Sequence, residues 1–447
     1  MHKYILIFFT LLSGPVVLFA QAGGKELFLP DTIYRIPPKN DFKNDESEYS
    51  FKRMVQGDNV AIFWHKEFGD DPTANSNEKK RFDPKDALKE CERFYSFYVN
   101  DLKIIQKGNS YTDKYKMVLF VLSGEGGTAF GGGAGKVGML WTPPARMSKA
   151  PYGALAHELG HSFQYMASQD NGRGPRGAIM EMTAQYMLWQ VYPEWMSFEN
   201  YHLVDFLKGT HYAFLHAYNT YHSPYVFEYW SNKRGLDFLG TLYRSTKEGE
   251  DPVMTYKRIT SQTQEQFNDE MFDASRRFIT WDMPRIEQVA HKYANQHTTV
   301  LNAIGDDWYR IAKEKCPQNY GYNGIKLKVP KAGTKVTVNF KGVAGVDSFS
   351  TVNLDKAGWR YGFVASKKDG SREYGEVYKN AEGTATCKVP QDTEYLWLVV
   401  MGAPTEHWPI VMRRRPAEGT APAVVAEEQW PYQLKFKGTS PDESVIK

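Results

Sequence analysis

Apolar residues recur at two different spacings along this chain of 447 residues. Up to about residue 316, long stretches carry them at helical intervals. Leu88, Cys91, Tyr95, Tyr98 and Leu102 form one stripe, and Tyr152, Leu155, Leu159, Phe163 and Met166 form another. Asp83 and Pro84 open the first of these helices, while Ser148 as a cap and Pro151 in the first turn suit the second. The loop from Gln169 to Gly177 ends that second helix, and a third is expected over 178–189. Ser223 and Pro224 predict the start of a further helix running through Phe227 and Trp230. Short apolar runs at 59–65, 117–122 and 138–142 read as buried strands between these helices.

From about Cys316 the pattern becomes that of strands divided by turn residues. The runs are 324–329, 335–340, 361–366, 384–389, 395–401 and 433–437, with Asp369-Gly370 as a hairpin turn. Regular short strands of this kind predict a β-sandwich. The fold class is therefore α+β: a mixed-sheet and helical domain over 23–315, then a β-sandwich accessory domain over 316–447. Within the first, residues 70–81 read as a polar loop, and within the second 416–426 as an Ala/Pro-rich one. The glycine-rich stretch 124–136 tempts a phosphate-loop reading. Phe130 holds the required first Gly position and Val137 replaces the hydroxyl residue, so a hairpin or rim loop is expected instead.

The N-terminus has the organisation of a secretory signal over 1–22. Lys3 precedes an apolar run, and Ala20-Gln21-Ala22 offers small residues for cleavage. Export to the periplasm, cell surface or medium is the expected address, with no stable membrane span. Formal net charge is +3, and +2 once Lys3 leaves with the signal, which argues against nucleic acid as a partner. Arg413-Arg414-Arg415 reads as a solvated turn. Cys91, Cys316 and Cys387 are widely spaced and odd in number; one disulfide of unassigned pairing is open to an exported chain, and buried free thiols are the plainer expectation for all three.

The second helix carries His157-Glu158-Leu159-Gly160-His161. Residues four apart share a helical face, so both imidazoles can reach one ion while Glu158 addresses a water beside it. Glu181 follows 20 positions later on the next helix and is the candidate third ligand. Two His and one Glu leave the fourth position of a catalytic zinc site open to water.

His157-Glu158-x-x-His161 followed by Glu181-x-x-Ala184 resembles the gluzincin metallopeptidases, the thermolysin-like superfamily. The resemblance implies a zincin-like domain, Zn2+ bound by His157, His161 and Glu181, and Glu158 as general base. It also implies a later His or Tyr that stabilises the oxyanion, for which His222 and Tyr225 are the candidates. The strand just before the metal helix, here 138–142, would be an edge that binds extended substrate backbone. The thermolysin pattern has Asn before the third-ligand Glu and Asp four residues after it, whereas this chain has Met180 and Gln185. Gln185 can accept a hydrogen bond but brings no charge to a ligating His.

Segments 319–323, 358–363 and 398–408 further resemble a secreted bacterial family catalogued only as a domain of unknown function. The expected activity is a zinc peptidase acting on protein or glycoprotein, with glycan contact through the C-terminal domain if Trp359, Trp397 or Trp408 is exposed. Core packing is the other reading of each Trp. One rival is a surface glycan- or protein-binding protein on a degenerate peptidase fold. Another is a zinc hydrolase of a non-peptide amide or ester.

Overall fold

A computed structural model describes residues 24–346, 348–409 and 426–447. The expected signal, the arginine cluster at 413–415 and nearly all of the 416–426 loop lie outside the described residues. The chain divides into two compact units, Met1–Gly172 and Arg173–Lys447.

The first unit is built from β1 (Met54–Gln56), β2 (Val60–Trp64), α1 (Pro84–Asn100), β3 (Met117–Val121), β4 (Phe130–Ala134), β5 (Val137–Thr142) and α2 (Gly153–Asn171). Its sheet has the order β1-β2-β3-β5-β4. The central three strands are parallel, and both edges are antiparallel. β2, β3 and β5 are buried at every position, as a sheet covered on both faces requires. On one face Phe63 and Phe120 stack within an aromatic layer with Phe42 and Tyr49. On the other, α1 and α2 pack against the sheet; the predicted α2 stripe is buried throughout, whereas on α1 Cys91, Tyr95 and Tyr98 are buried, Leu88 is half-buried and Leu102 lies beyond the helix end.

Two expectations are corrected here. The strand before α2, β5, lies inside the sheet, because the glycine-rich stretch supplies a further strand, β4, that pairs with it and forms the edge. α2 starts at Gly153 with no side-chain cap. Ser148 Oγ donates to the Ala145 carbonyl instead, and Pro151 precedes the helix. The start of α2 is held by tertiary bonds: Tyr152 Oη donates to Asp86 (2.7 Å) and Tyr98 Oη to the Ala156 carbonyl (3.0 Å). The far end closes on Gly172 in the left-handed region, so Gln169, Asp170 and Asn171 are helical, not loop.

The second unit begins with α3 (Ile179–Val191), α4 (Trp195–Phe198), α5 (Asn200–Lys208), α6 (Tyr225–Arg234), α7 (Phe238–Ser245), α8 (Pro252–Thr260), α9 (Gln264–Phe278) and α10 (Glu287–Ala290). α6 starts after Pro224 with no side-chain cap from Ser223. The strands follow: β6 (Leu301–Ala303), β7 (Trp308–Ile311), β8 (Tyr322–Leu327), β9 (Lys335–Gly342), β10 (Trp359–Lys367), β11 (Arg372–Tyr374), β12 (Glu382–Lys388), β13 (Thr393–Gly402) and β14 (Tyr432–Lys437). They make two antiparallel sheets, β11-β10-β13-β8 and β12-β9-β14-β7-β6. Ile325, Phe363 and Leu398 of the first share one core with Val338, Phe340 and Leu434 of the second. The β10–β11 turn is Asp369-Gly370, with Gly370 at φ +82°.

The expected division at 315/316 does not separate compact units. β6 and β7 already belong to the sandwich, and α9 is tied to it by Arg360–Asp269 (2.7 Å) and by Asn268 donating to the Pro404 carbonyl (2.8 Å). Trp359 and Trp397 are buried and Trp408 is half-buried against the sandwich core, which is the packing reading of all three. All three cysteines are free thiols. Cys91 and Cys316 are buried as expected, while Cys387 is half-buried. Among the described residues no helix is long and apolar enough to cross a membrane.

The second unit also buries two neutral histidines. Burial pushes His211 and His297 down to about 3, and His297 Nε2 pairs with Tyr322 Oη at 2.7 Å. Unfolded chain takes up these protons near 6.5, whereas the folded state resists them until about 3. The unfolded state therefore binds more protons across that window, and stability falls as pH is lowered through it. Denaturant midpoints should drop from pH 7 to pH 4, and less so in His297→Asn. An equal drop in both proteins would remove His297 from this account.

Candidate metal centre

The apolar stripe of α2 faces the core, which leaves its opposite side to carry the motif. Ser162 Oγ donates to the Met139 carbonyl of β5 (2.7 Å) and fixes the helix against the sheet. On the presented side, His157 Nε2 and His161 Nε2 face each other at 3.1 Å, with the rings near perpendicular at 81°. Two nitrogens bound to one tetrahedral zinc at its usual bond length would be about 3.3 Å apart. The pair is therefore already spaced for one shared ion.

His161 is oriented from its own helix. Its Nδ1 lies 2.9 Å from Oε1 of the buried Gln164. An amide oxygen only accepts, so Nδ1 carries the proton and Nε2 presents its lone pair. This is the partner that a ligating His needs on its far nitrogen. Gln164 was not foreseen, although its place three residues after His161 is a recognisable signal. We expect Gln164→Ala to weaken metal binding by about 10- to 100-fold, read by competition with a chelator. Unchanged affinity would show that the ring is held by other contacts.

The edge strand β4 crosses this same helix. A Cβ on Gly131 would fall 2.0 Å from the Glu158 carbonyl oxygen and 2.7 Å from His161 Cβ. One on Gly133 would enter the Tyr165 ring, whose hydroxyl donates to the Gly135 carbonyl. The glycines thus allow a strand to lie directly on the turn of α2 that holds the motif.

Glu181 stands in the first turn of α3, half-buried. One ligand atom from each of His157, His161 and Glu181 lies within 4.8 Å of the others. The donor set of two imidazoles and a carboxylate suits zinc. Glu158 is half-buried on the same turn as His157 and His161.

The two oxyanion candidates have different settings. His222 is half-buried, and its Nδ1 lies 2.9 Å from His202 Nδ1. Burial holds its pKa below the ordinary imidazole value. His202 Nε2 in turn meets Gln185, one helical turn beyond Glu181. Tyr225 is not brought to a reactive surface. It is fully buried, packed on Phe206 and Trp281 (4.6 Å each) and on Trp189, and burial pushes its phenol far above its ordinary pKa. A phenol sealed in the core cannot meet a substrate oxygen.

No curated protein matches the chain. A family model does match, over residues 20–443, and its description reads "Family of unknown function (DUF6055)". The chain belongs to that family of unknown function.

Proposed function

We propose that the protein is a secreted zinc-dependent metallohydrolase of gluzincin type, acting on amide bonds of protein or glycoprotein. The observation that carries this reading is the convergence of His157, His161 and Glu181 ligand atoms, with Glu158 on the same helical turn. Zinc at these residues would supply Lewis-acid polarisation and a water acidified to near neutrality. Glu158 accepts the proton of the attacking water and returns it to the leaving nitrogen. His222 donates a hydrogen bond to the oxygen that gains charge. β4, as the edge of the sheet, offers backbone groups to an extended substrate in the role first expected of 138–142.

The test is metal content and new peptide termini, read together. Wild type should hold one zinc and generate new termini from a pool of proteins and glycoproteins. Glu181→Ala should hold less zinc and generate none. Zinc bound without cleavage would favour a binding protein or a non-peptide bond. Undiminished zinc in Glu181→Ala would remove Glu181 from the ligand set.

A further inference from the structure

Four groups of the second unit form a directed hydrogen-bond chain. Gln185 Nε2 lies 3.3 Å from the Tyr221 carbonyl oxygen and 2.9 Å from His202 Nε2. A carbonyl oxygen can only accept, so the Gln185 atom that meets it is the amide nitrogen, which only donates. The second N–H of that nitrogen points at His202 Nε2, which must then be a bare lone pair. With Nε2 bare, the proton of neutral His202 is on Nδ1. His202 Nδ1 faces His222 Nδ1 at 2.9 Å, so His222 Nδ1 accepts and the His222 proton is on Nε2. Among the described residues no protein group takes that Nε2–H.

We propose that Gln185 and His202 are positioning residues that fix His222 as a neutral imidazole with its proton on Nε2, an outward hydrogen-bond donor. The consequence for catalysis rests on the hydrolase reading; the tautomer does not. Placed by a residue four positions from Glu181 on one helical face, the donor serves an oxygen that becomes negative near that ligand. A donor fixed before reaction needs no reorganisation when charge develops. The same chain gives Gln185 a purpose at the position where the thermolysin pattern has Asp. A carboxylate there would accept from His202 Nε2, reverse every bond in the chain and put the His222 proton on Nδ1. Glu199 lies 3.7 Å from His202 Nε2, outside hydrogen-bond reach, and Trp195 Nε1 donates to that same oxygen at 2.6 Å. Asp205 and Lys208 are the other charges that act on His222.

Long-range proton–nitrogen correlation spectra of the 15N-labelled full chain read each imidazole tautomer directly, with His202→Asn and His222→Asn used for assignment. The expected wild-type result is His202 protonated on Nδ1 and His222 on Nε2. In Gln185→Glu, the His222 proton should move to Nδ1 or the ring should become doubly protonated. Turnover in that variant should fall about 100-fold, with zinc content unchanged. A wild-type His222 protonated on Nδ1, or a doubly protonated His202, overturns the proposal without any recourse to the variant. The predicted tautomers in a protein that cleaves nothing would uphold the relay and sink the hydrolase reading alone.

Discussion

Glu158→Gln is expected to keep its zinc and to lose between about 100- and 10,000-fold of turnover. The substitution preserves shape, so the helical turn that carries His157 and His161 is undisturbed, as is the close passage of β4 over the Glu158 carbonyl. What changes is basicity. A glutamine amide can hold a water by hydrogen bonds but cannot take its proton, and proton transfer is the work assigned to this position. The side chain follows His157 by one residue and so lies on a neighbouring side of the helix, where it can act without being a ligand. Zinc content and turnover therefore separate the roles. Metal retained with activity lost supports the general base. Full activity in Glu158→Gln would dismiss it, and loss of the metal along with activity would make Glu158 part of the binding set.

Much of the site was legible because it is local. His157, Glu158 and His161 share one turn of helix, and the stripe from Tyr152 to Met166 told which face of that helix would be buried. Glu181 was legible through its spacing to the next helix. What was hidden depends on partners distant in sequence. The 130–134 stretch has no apolar alternation, so its pattern left a hairpin and a rim loop both open. It is made a strand by pairing with β5, and its glycines reflect the helix beneath it. That pairing moved β5 from the edge to the interior. Tyr225 sits at an exposed-looking helix start in sequence, yet aromatics from residues 189 to 281 close over it. His202, among the many aromatics between 195 and 230, gained meaning only when Gln185 and His222 were found on its two nitrogens. The compact units divide where α2 ends and not at 315/316, where α9 is tied to the sandwich by contacts no composition shift reveals.

Gly131→Ala is expected to cost about 3 kcal/mol of stability, the upper end of overpacking penalties, and to impair metal binding as well. The added methyl would lie 2.0 Å from a backbone oxygen of α2, and 2.7 Å from the Cβ of His161, a proposed ligand. Neither atom is the free end of a side chain. The oxygen belongs to the helix, which Ser162 anchors to β5, so the strand must yield instead. Moving β4 away breaks its pairing with β5 and removes the edge proposed to receive substrate. Gly132→Ala is the internal control, since a Cβ there meets nothing within 4 Å and its stability should change by less than about 0.5 kcal/mol. Denaturant midpoints and zinc affinities of the two variants decide the matter. If both behave alike, the close contact between β4 and the metal helix is not what these glycines serve. If Gly131→Ala alone loses stability and zinc, the metal site depends on the strand laid across it.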